Sequence, residues 1–238
     1  MDLKNVNDAL NLYVRPQTFP LALKLCQSRD ELPEKVRVPM RDLGYPVTLC
    51  QAIGLARRFG WTMAVSKEDQ CCYGGAAAMG FLSQAPQGAD SSFSEEKQLE
   101  TGKYSHLLAA TLERADFEPD VVLIYGNSAQ IMRLAQSAGR LTTGGAVPAI
   151  ASGFGDCGDI VARTVRANTC QVILPSGGDR IFGSTQDHEM IFAMPKEKAE
   201  AVAGALGETH KAGFRYPVLT DLRHRPELPP FLKIPENG

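Results

Sequence analysis

The order of apolar and polar residues along the chain predicts alternating helices and strands. Val6, Leu10 and Val14 recur at helical spacing and predict a first helix that stops before Pro16. A continuous apolar run with β-branched residues at 121–125 predicts a buried strand. The same reasoning predicts further helices over 48–59, 76–82, 106–115, 129–138, 159–166 and 196–210. It predicts further strands over 19–26, 61–65, 147–152, 171–174 and 190–193.

Prolines and glycines separate these elements. They predict loops over 32–46 and 67–75, an exposed crossing over 88–102 and a turn over 175–178. Alternating strands and helices indicate an α/β or α+β fold, in which helices pack on a mixed sheet. A boundary near residue 116 leaves open two tightly joined lobes, 1–115 and 116–238.

Charge and hydropathy limit the compartment and the classes of ligand that can be expected for the protein. The chain has 238 residues, with 25 basic and 27 acidic side chains, so no basic excess supports nucleic-acid binding. Its first residues are polar and acidic, unlike a secretory signal. The longest uncharged window, 70–89, contains glycines, a proline and glutamines, which makes it a poor membrane helix. We therefore expect a cytoplasmic protein with a small-molecule ligand, without nucleic-acid or membrane partners, and with no protein partner indicated.

Six cysteines are unusual for such a chain, because cytoplasmic thiols stay reduced and disulfides are not expected. Cys26 ends one apolar strand and Cys170 begins another. Both are expected to be buried core residues.

The remaining four cysteines share one local pattern. Cys50, the adjacent Cys71 and Cys72, and Cys157 each follow a loop rich in glycine or proline and precede a predicted helix. Free backbone N–H groups and the helix dipole at such a position lower the pKa of a thiol. Thiolate is the form that binds soft metals and attacks electrophiles. Three converging thiolates suit an iron–sulfur cluster or a zinc ion.

A [4Fe–4S] cluster is the preferred interpretation of this pattern. The chain has only four histidines, none next to a cysteine, which gives little support for a mixed Cys/His zinc site. Three cysteine ligands leave one iron open to a small anionic or sulfur-bearing substrate, whereas a fourth ligand from Cys72 or Cys170 would favour electron transfer. A thiol redox protein that uses Cys71 and Cys72 stays an alternative, as does a non-enzymatic ligand-binding module. Whether the protein is an enzyme is left open.

Two polar turns are candidates for substrate binding. Gly177 and Gly178 follow a predicted strand and could cradle an anion, and Arg180 could pair with a carboxylate of the substrate. Asn127 follows the buried strand at 121–125, where ligands commonly bind in layered α/β proteins, although a helix cap is the commoner role there.

Other functional signals are weak. Arg57 and Arg58 fall on the polar face of a predicted helix and are expected to be solvated. The chain contains no GxSxG, HExxH, Walker or GxGxxG motif. Their absence disfavours several hydrolase classes, nucleotide kinases and nicotinamide enzymes.

Short motifs over nearly the whole chain form a set. They are Arg15-Pro16 and residues 19–24, 45–51, 56–61, 71–75, 80–81, 157–159 and 174–180. This set resembles the domain-of-unknown-function family 169 of archaea and bacteria. The resemblance implies a single unit over 1–238 but no particular activity. It also implies that the family's cysteine motifs fall on the three helix starts, which is compatible with a shared metal site and leaves the choice between Cys71 and Cys72 open.

Overall fold

A computed structural model describes residues 1–82, 95–151, 155–218 and 228–233. Seven strands form one mixed sheet in this part of the chain. They are β1 (Leu21–Cys26), β2 (Met63–Val65), β3 (His106–Thr111), β4 (Val121–Gly126), β5 (Ala149–Ala151), β6 (Gln171–Leu174) and β7 (Met190–Pro195). Their order across the sheet is β2-β3-β1-β4-β7-β6-β5, and every pair is antiparallel except β5 with β6.

Helices precede, follow or connect these strands. The α-helices are α1 (Leu3–Tyr13), α2 (Pro39–Asp42), α3 (Leu49–Phe59), α4 (Tyr73–Ala78), α5 (Ser128–Gly139), α6 (Thr164–Ala167), α7 (Gly177–Phe182) and α8 (Lys196–Lys211). A π-helix spans Gly158–Arg163 and continues directly into α6. Short 3-10 helices span Arg29–Glu31, Glu95–Lys97 and Pro230–Leu232.

The sheet has an apolar core on each face. In β4, Leu123 and Tyr125 belong to one buried cluster, whereas Val122 and Ile124 belong to the other. This alternation follows from the period of two in a strand. The first cluster also contains residues of α3, α4 and the π-helix, and the second contains residues of α1, α5 and α8. The predicted mixed sheet with packed helices is confirmed, as an α+β fold.

The first and second halves of the chain contribute to the same sheet. Strands β1 to β3 precede residue 116 and strands β4 to β7 follow it. They join where β1 pairs with β4, with Leu21 opposite Leu123. The sheet is therefore continuous across the boundary at which two lobes were considered.

Local capping chemistry sets the bounds of α3. The Thr48 side chain accepts a hydrogen bond from the backbone N–H of Gln51 at 3.0 Å, so it caps the helix N-terminus. Gly60 ends the helix in the left-handed conformation, with φ of 68°. The predicted helix over 48–59 is confirmed, and its start orients Cys50.

The predicted helix over 106–115 is wrong, because His106–Thr111 forms strand β3. Leucine and alanine dominate this segment and favour a helix by intrinsic propensity. However, β3 lies between β1 and β2, and five of its six residues are buried. Packing on both faces of the sheet outweighs the local preference.

Three smaller predictions also need correction. The loop over 32–46 contains the short helix α2, α4 begins at Tyr73 rather than at residue 76, and the turn over 175–178 leads at once into α7. Of the expected crossing over 88–102, residues 88–94 lie outside the described part. Short segments with mixed glycine, proline and apolar content give little periodicity from which to predict a helix.

None of the helices in the described ranges combines the length and the apolar character that crossing a bilayer requires.

Candidate functional site

Two cysteines that are 107 residues apart in sequence meet on one face of the sheet. The sulfur atoms of Cys50 and Cys157 lie 3.8 Å apart. Cys157 is only 3% exposed, and Cys50 is half-buried against the same apolar cluster. We call these two residues the thiol pair.

Each member of the thiol pair lies at the beginning of a helical segment, as predicted. Cys50 is the second residue of α3. Cys157 is helical and comes immediately before the π-helix, whose first residue is Gly158. π-Helical turns are rare in proteins, and those that occur are often found at functional sites. The position of Cys157 directly before one therefore marks it as a candidate functional residue.

Two glycines in α3 and α4 allow the surrounding helices to approach closely. A Cβ atom on Gly54 would lie 2.6 Å from the carbonyl oxygen of Gly183, just after α7. A Cβ atom on Gly75 would lie 3.1 Å from the Cβ of Leu49, at the start of α3. Side chains at these positions would push α7 and α4 away from α3.

The adjacent Cys71 and Cys72 differ in position. Cys71 is exposed, whereas Cys72 is half-buried and is the N-cap residue of α4. Cys72 is close enough to Cys157 to raise the pKa of that thiol electrostatically. Within the described ranges, no three histidine, cysteine, aspartate or glutamate side chains are already arranged to hold a metal ion. A third sulfur ligand from Cys72 would therefore have to move toward the thiol pair before the three could hold a metal ion.

The expected lowering of thiol pKa is wrong for Cys157. The hydrogen bond with Cys50 raises the pKa of Cys157 well above its usual value, burial raises it further, and Cys72 and Asp156 add to the effect. Burial and nearby groups that disfavour negative charge therefore outweigh the helix start. Cys157 is a neutral thiol at pH 7, and a metal would have to displace its proton.

Buried acidic groups, which the sequence analysis did not identify, lie beside the thiol pair. Asp156 precedes Cys157 and accepts the backbone N–H of Ser176 at 2.7 Å. Asp179, in α7, accepts the hydroxyl of Thr185 at 2.5 Å and that of Tyr125 at 3.4 Å. The pKa of Asp179 is raised to about 6, mainly by burial and in smaller part by the charge of Asp156. Asp179 can therefore gain or lose a proton near neutral pH.

Arg57 is also part of these surroundings, and the prediction that it is solvated is wrong. It is 0% exposed and forms an ion pair with Glu189 at 2.9 Å, whereas Arg58 is partly exposed and lies 3.3 Å from the same carboxylate. The guanidinium of Arg57 lies over the ring of Tyr125, with Cζ 3.9 Å from the ring centroid. From the sequence alone, an arginine in an amphipathic helix is predicted to be exposed. The partner that allows Arg57 to be buried, Glu189, lies 132 residues later in the chain, so the local pattern does not reveal it.

The candidate substrate-binding residues lie in two places. Gly177 and Gly178 begin α7, directly after Ser176, and Arg180 donates a hydrogen bond to the carbonyl oxygen of Gln186 at 2.7 Å. The bond from Ser176 to Asp156 places this turn next to Cys157. Asn127 caps α5, where its side chain accepts the N–H of Gln130 at 3.0 Å.

The two cysteines predicted to be structural are buried. Cys26 is 0% exposed and Cys170 is 6% exposed. Burial raises the pKa of Cys26 to about 11 and that of Cys170 to about 12. Both thiols are core residues, which confirms the prediction.

Comparison with known proteins places this arrangement in a family. The model of the DUF169 family, described as uncharacterised ArCR, matches residues 9–205. The chain belongs to the DUF169 family. The match includes the thiol pair, Cys71, Cys72 and the start of α7. The resemblance found in the sequence motifs is therefore confirmed.

Among curated proteins, the DUF169 chain is similar to the uncharacterized protein MJ0308 of Methanocaldococcus jannaschii. The two are 24% identical over 222 residues, which cover 85% of this chain and 92% of the relative. No solved structure matches the chain.

The sequence contained partial signals for the neighbours of the thiol pair. Asp156 stands beside Cys157 in the segment Gly-Asp-Cys-Gly-Asp, and Asp179 stands between the glycine pair and Arg180. Their proximity depends on how α7 packs against α3, which the local pattern does not contain. Tyr125 was assigned only to the buried strand, and nothing local shows that its hydroxyl reaches Asp179.

Proposed function

We propose that this DUF169 protein holds an iron–sulfur centre, a [4Fe–4S] cluster, on the thiolates of Cys50, Cys157 and Cys72. One iron would then stay open to a small anionic or sulfur-bearing substrate in the cytoplasm. The observation that carries the proposal is the convergence of two cysteines from distant segments, Cys50 and Cys157, whose sulfur atoms lie 3.8 Å apart. Two core cysteines from distant segments have no packing requirement to place their sulfurs in contact.

The donor set favours a soft metal. Cys50 and Cys157 offer sulfur, and Cys72 is the next nearest thiol for which the structure shows an electrostatic effect on Cys157. Sulfur ligands select zinc and iron–sulfur clusters over calcium or magnesium. The buried apolar residues around the thiol pair also suit an iron–sulfur cluster, because limited solvent access tunes the reduction potential of such a cluster.

The spacing of the thiol pair makes the choice between a cluster and a single ion testable. Two thiolates on one tetrahedral metal, with bonds of about 2.3 Å, stand roughly 3.8 Å apart. Thiolates of one [4Fe–4S] cube bind different irons and stand further apart. Loading a cluster therefore requires the Cys50 and Cys157 side chains to rotate apart, whereas a zinc ion needs no such movement.

Substrate binding is proposed for the start of α7. Gly177 and Gly178 expose backbone N–H groups beside Asp156, and Arg180 supplies a positive charge for an anionic group of the substrate. Asn127 stays a candidate contact at the end of β4. Asp179 is buried next to this turn and can exchange a proton near pH 6.

Anaerobic purification followed by iron, zinc and acid-labile sulfide analysis tests the proposal. We expect about four irons and four sulfides per chain, with visible thiolate-to-iron absorption. Cys50→Ser and Cys157→Ser should each lose most of the iron. Cys26→Ser and Cys170→Ser are matched controls, since both replace a buried thiol away from the pair, and they should keep it.

Each other outcome rejects the cluster. One zinc per chain without sulfide would establish a single-ion site instead. An iron-free protein that iron and sulfide cannot reconstitute, or iron retention in both Cys50→Ser and Cys157→Ser, would remove the inorganic centre and favour a ligand-binding module.

A dithiol–disulfide function is a second candidate, and the same sulfur contact favours it. The Cys50 and Cys157 thiols would form one S–S bond and release two protons, while a low-molecular-weight disulfide accepts the two electrons and leaves as two thiols. In this second proposal the redox pair is Cys50 and Cys157, in place of the Cys71 and Cys72 pair expected from the sequence. In metal-free protein equilibrated with glutathione buffers, loss of two thiols per chain that Cys50→Ser abolishes and Cys71→Ser does not would support it. Thiol loss that depends on Cys71 instead would reject it.

A further inference from the structure

A fully buried arginine lies on the opposite face of the sheet from the thiol pair. Arg133 projects from α5 toward α8 and is 0% exposed. Its Nη2 donates to the carbonyl oxygen of Leu206 at 3.3 Å and to the hydroxyl of Thr209 at 3.0 Å. Its Nε and Nη1 are buried and have no hydrogen-bond partner among the described residues.

This guanidinium also lacks a negative partner in the part of the chain that the structure describes. None of the ion pairs among those residues includes Arg133. Buried charges in proteins are normally paired, because transfer of an isolated ion from water is very costly. The contrast with Arg57 is direct, since that buried arginine has Glu189 at 2.9 Å.

The groups that surround Arg133 add positive charge rather than compensate for it. His210, in α8, has its pKa lowered by burial first and then by the charges of Arg215, Arg133 and Arg15. Three guanidinium groups therefore act on one imidazole ring. The Nδ1 atom of this ring is buried, and no residue in the described ranges forms a hydrogen bond with it. The ring of Tyr13 also contacts it, at 5.0 Å between centroids.

The backbone holds Arg15 near this cluster in an unusual conformation. Its φ is 55°, in the left-handed region that residues other than glycine rarely adopt. The side chain of Gln130 fixes this turn by donating to the Arg15 carbonyl oxygen at 2.6 Å. Such conformations persist where the surrounding structure enforces them, and they cluster at ligand sites.

A cavity of about 270 Å³ opens beside Arg133 at the carboxyl ends of α5 and α8. Thr209 connects the two, because it lines the cavity and accepts the hydrogen bond from Arg133. Gln136 also lines the cavity, and its Oε1 is buried with no hydrogen-bond partner in the part of the chain that the structure describes. Arg140 contributes a guanidinium to the wall, whereas Arg133 lies behind Thr209, and Phe214 also lines the cavity. A liquid water occupies roughly 30 Å³, so the cavity has room for a small molecule.

We propose that this cavity binds the phosphate group of a small molecule, independently of the function proposed for the thiol pair. The phosphate contacts Arg140 and Gln136, whose amide can be turned to present its NH₂ group. The Thr209 hydroxyl lines the site without donating to the phosphate, because it donates to the carbonyl oxygen of Ala205 at 2.7 Å. Arg133 supplies compensating positive charge from behind Thr209, and Arg15 and Arg215 add to the field. A doubly charged phosphate matches several guanidinium groups better than a single carboxylate does.

Calorimetric titration of the full chain with inorganic phosphate tests this site, with sodium chloride at matched ionic strength and acetate as comparison ligands. Phosphate should bind at one site per chain, and acetate at least about tenfold more weakly. Arg140→Gln removes a charge in contact with the phosphate and should weaken its binding by about tenfold to a hundredfold. Arg133→Met removes a charge one residue further away and should weaken it by about tenfold. Arg114→Gln removes an exposed arginine from another surface and should leave the affinity unchanged.

A spectroscopic readout on the wild-type chain does not depend on the folding of a variant. The imidazole ring of His210 faces Arg15, Arg133, Arg215 and the ring of Tyr13. A bound phosphate offsets the positive field, so saturating phosphate should raise the pKa of His210 in an NMR titration. The inference is overturned if phosphate binds no better than chloride, if Arg133→Met and Arg140→Gln bind as the wild type does, or if the His210 titration is unchanged.

Discussion

The guanidinium of Arg57 lies over the ring of Tyr125, with its Cζ 3.9 Å from the ring centroid. The Tyr125 hydroxyl in turn donates to Asp179 at 3.4 Å. An ion pair buried between α3 and the segment before β7 is thereby connected to the carboxyl group beside the thiol pair. The packing of α3 thus positions both Cys50 and the acidic neighbours of Cys157.

Replacing Arg57 should be far more damaging than replacing its neighbour Arg58. Arg57→Ala leaves the buried Glu189 carboxylate without its principal partner, which costs about 3–5 kcal/mol of unfolding free energy. Arg58→Ala removes a partly exposed contact to the same carboxylate and should cost no more than about 1 kcal/mol. Urea denaturation of both variants measures the difference. Equal losses would contradict the structural role assigned to Arg57.

The close approach of α3 and α7 predicts opposite effects for two glycine substitutions. A Cβ on Gly54 would lie 2.6 Å from the Gly183 carbonyl oxygen, so Gly54→Ala should cost about 1–3 kcal/mol. A Cβ on Gly204, in α8, would meet only open space, so Gly204→Ala should stabilise the protein by about 0.5–1 kcal/mol. Thermal unfolding compares the pair. A stabilising Gly54→Ala would show that the two segments are not in contact.

Protonation of Asp179 should couple stability to pH. Burial raises the pKa of Asp179 from 3.8 to about 6 in the folded protein, so the folded state binds the proton more tightly than the unfolded chain does. The stabilisation from this group is complete below pH 3.8 and is lost as the pH rises through about 6. A shift of about two pKa units corresponds to ~3 kcal/mol at most.

Asp179→Asn isolates that contribution, because the amide stays neutral at every pH. Relative to Asp179→Asn, the wild type should lose stability as the pH rises from 3.8 to about 6, as measured by urea denaturation at several pH values. Curves for the two proteins that run parallel over this range would show that Asp179 has an ordinary pKa.

Strand β4 could be predicted from the sequence, because its local residue preference and its burial both favour a strand. Strand β3 could not, because its local preference favours a helix. Residues 121–125 are apolar and β-branched, so local preference and burial both favour a strand. Residues 106–111 are rich in leucine and alanine, and only pairing with β1 and β2 makes them a strand. Sequence periodicity contains information on local preference, but it contains none on which distant segments pair with each other.

The candidate site divides in the same way. Helix starts at Cys50 and Cys157 were visible from glycine, proline and capping residues near them. The distance between their sulfurs depends on the packing of α3 against the π-helix, so convergence was only a hypothesis from the sequence. The high pKa of Cys157 and the burial of Arg57 reversed the sequence expectations, because partners distant in sequence determine both.

Disulfide mapping tests most directly whether Cys50 and Cys157 form one site. Metal-free folded protein carrying Cys71→Ser and Cys72→Ser is treated with a mild thiol oxidant, digested without reduction and analysed by mass spectrometry. Sulfurs 3.8 Å apart need only a small rotation to bond, so a peptide linking Cys50 with Cys157 should dominate. If the four remaining thiols all stay free, or if the oxidised protein links Cys26 or Cys170 instead, the two cysteines do not share a site.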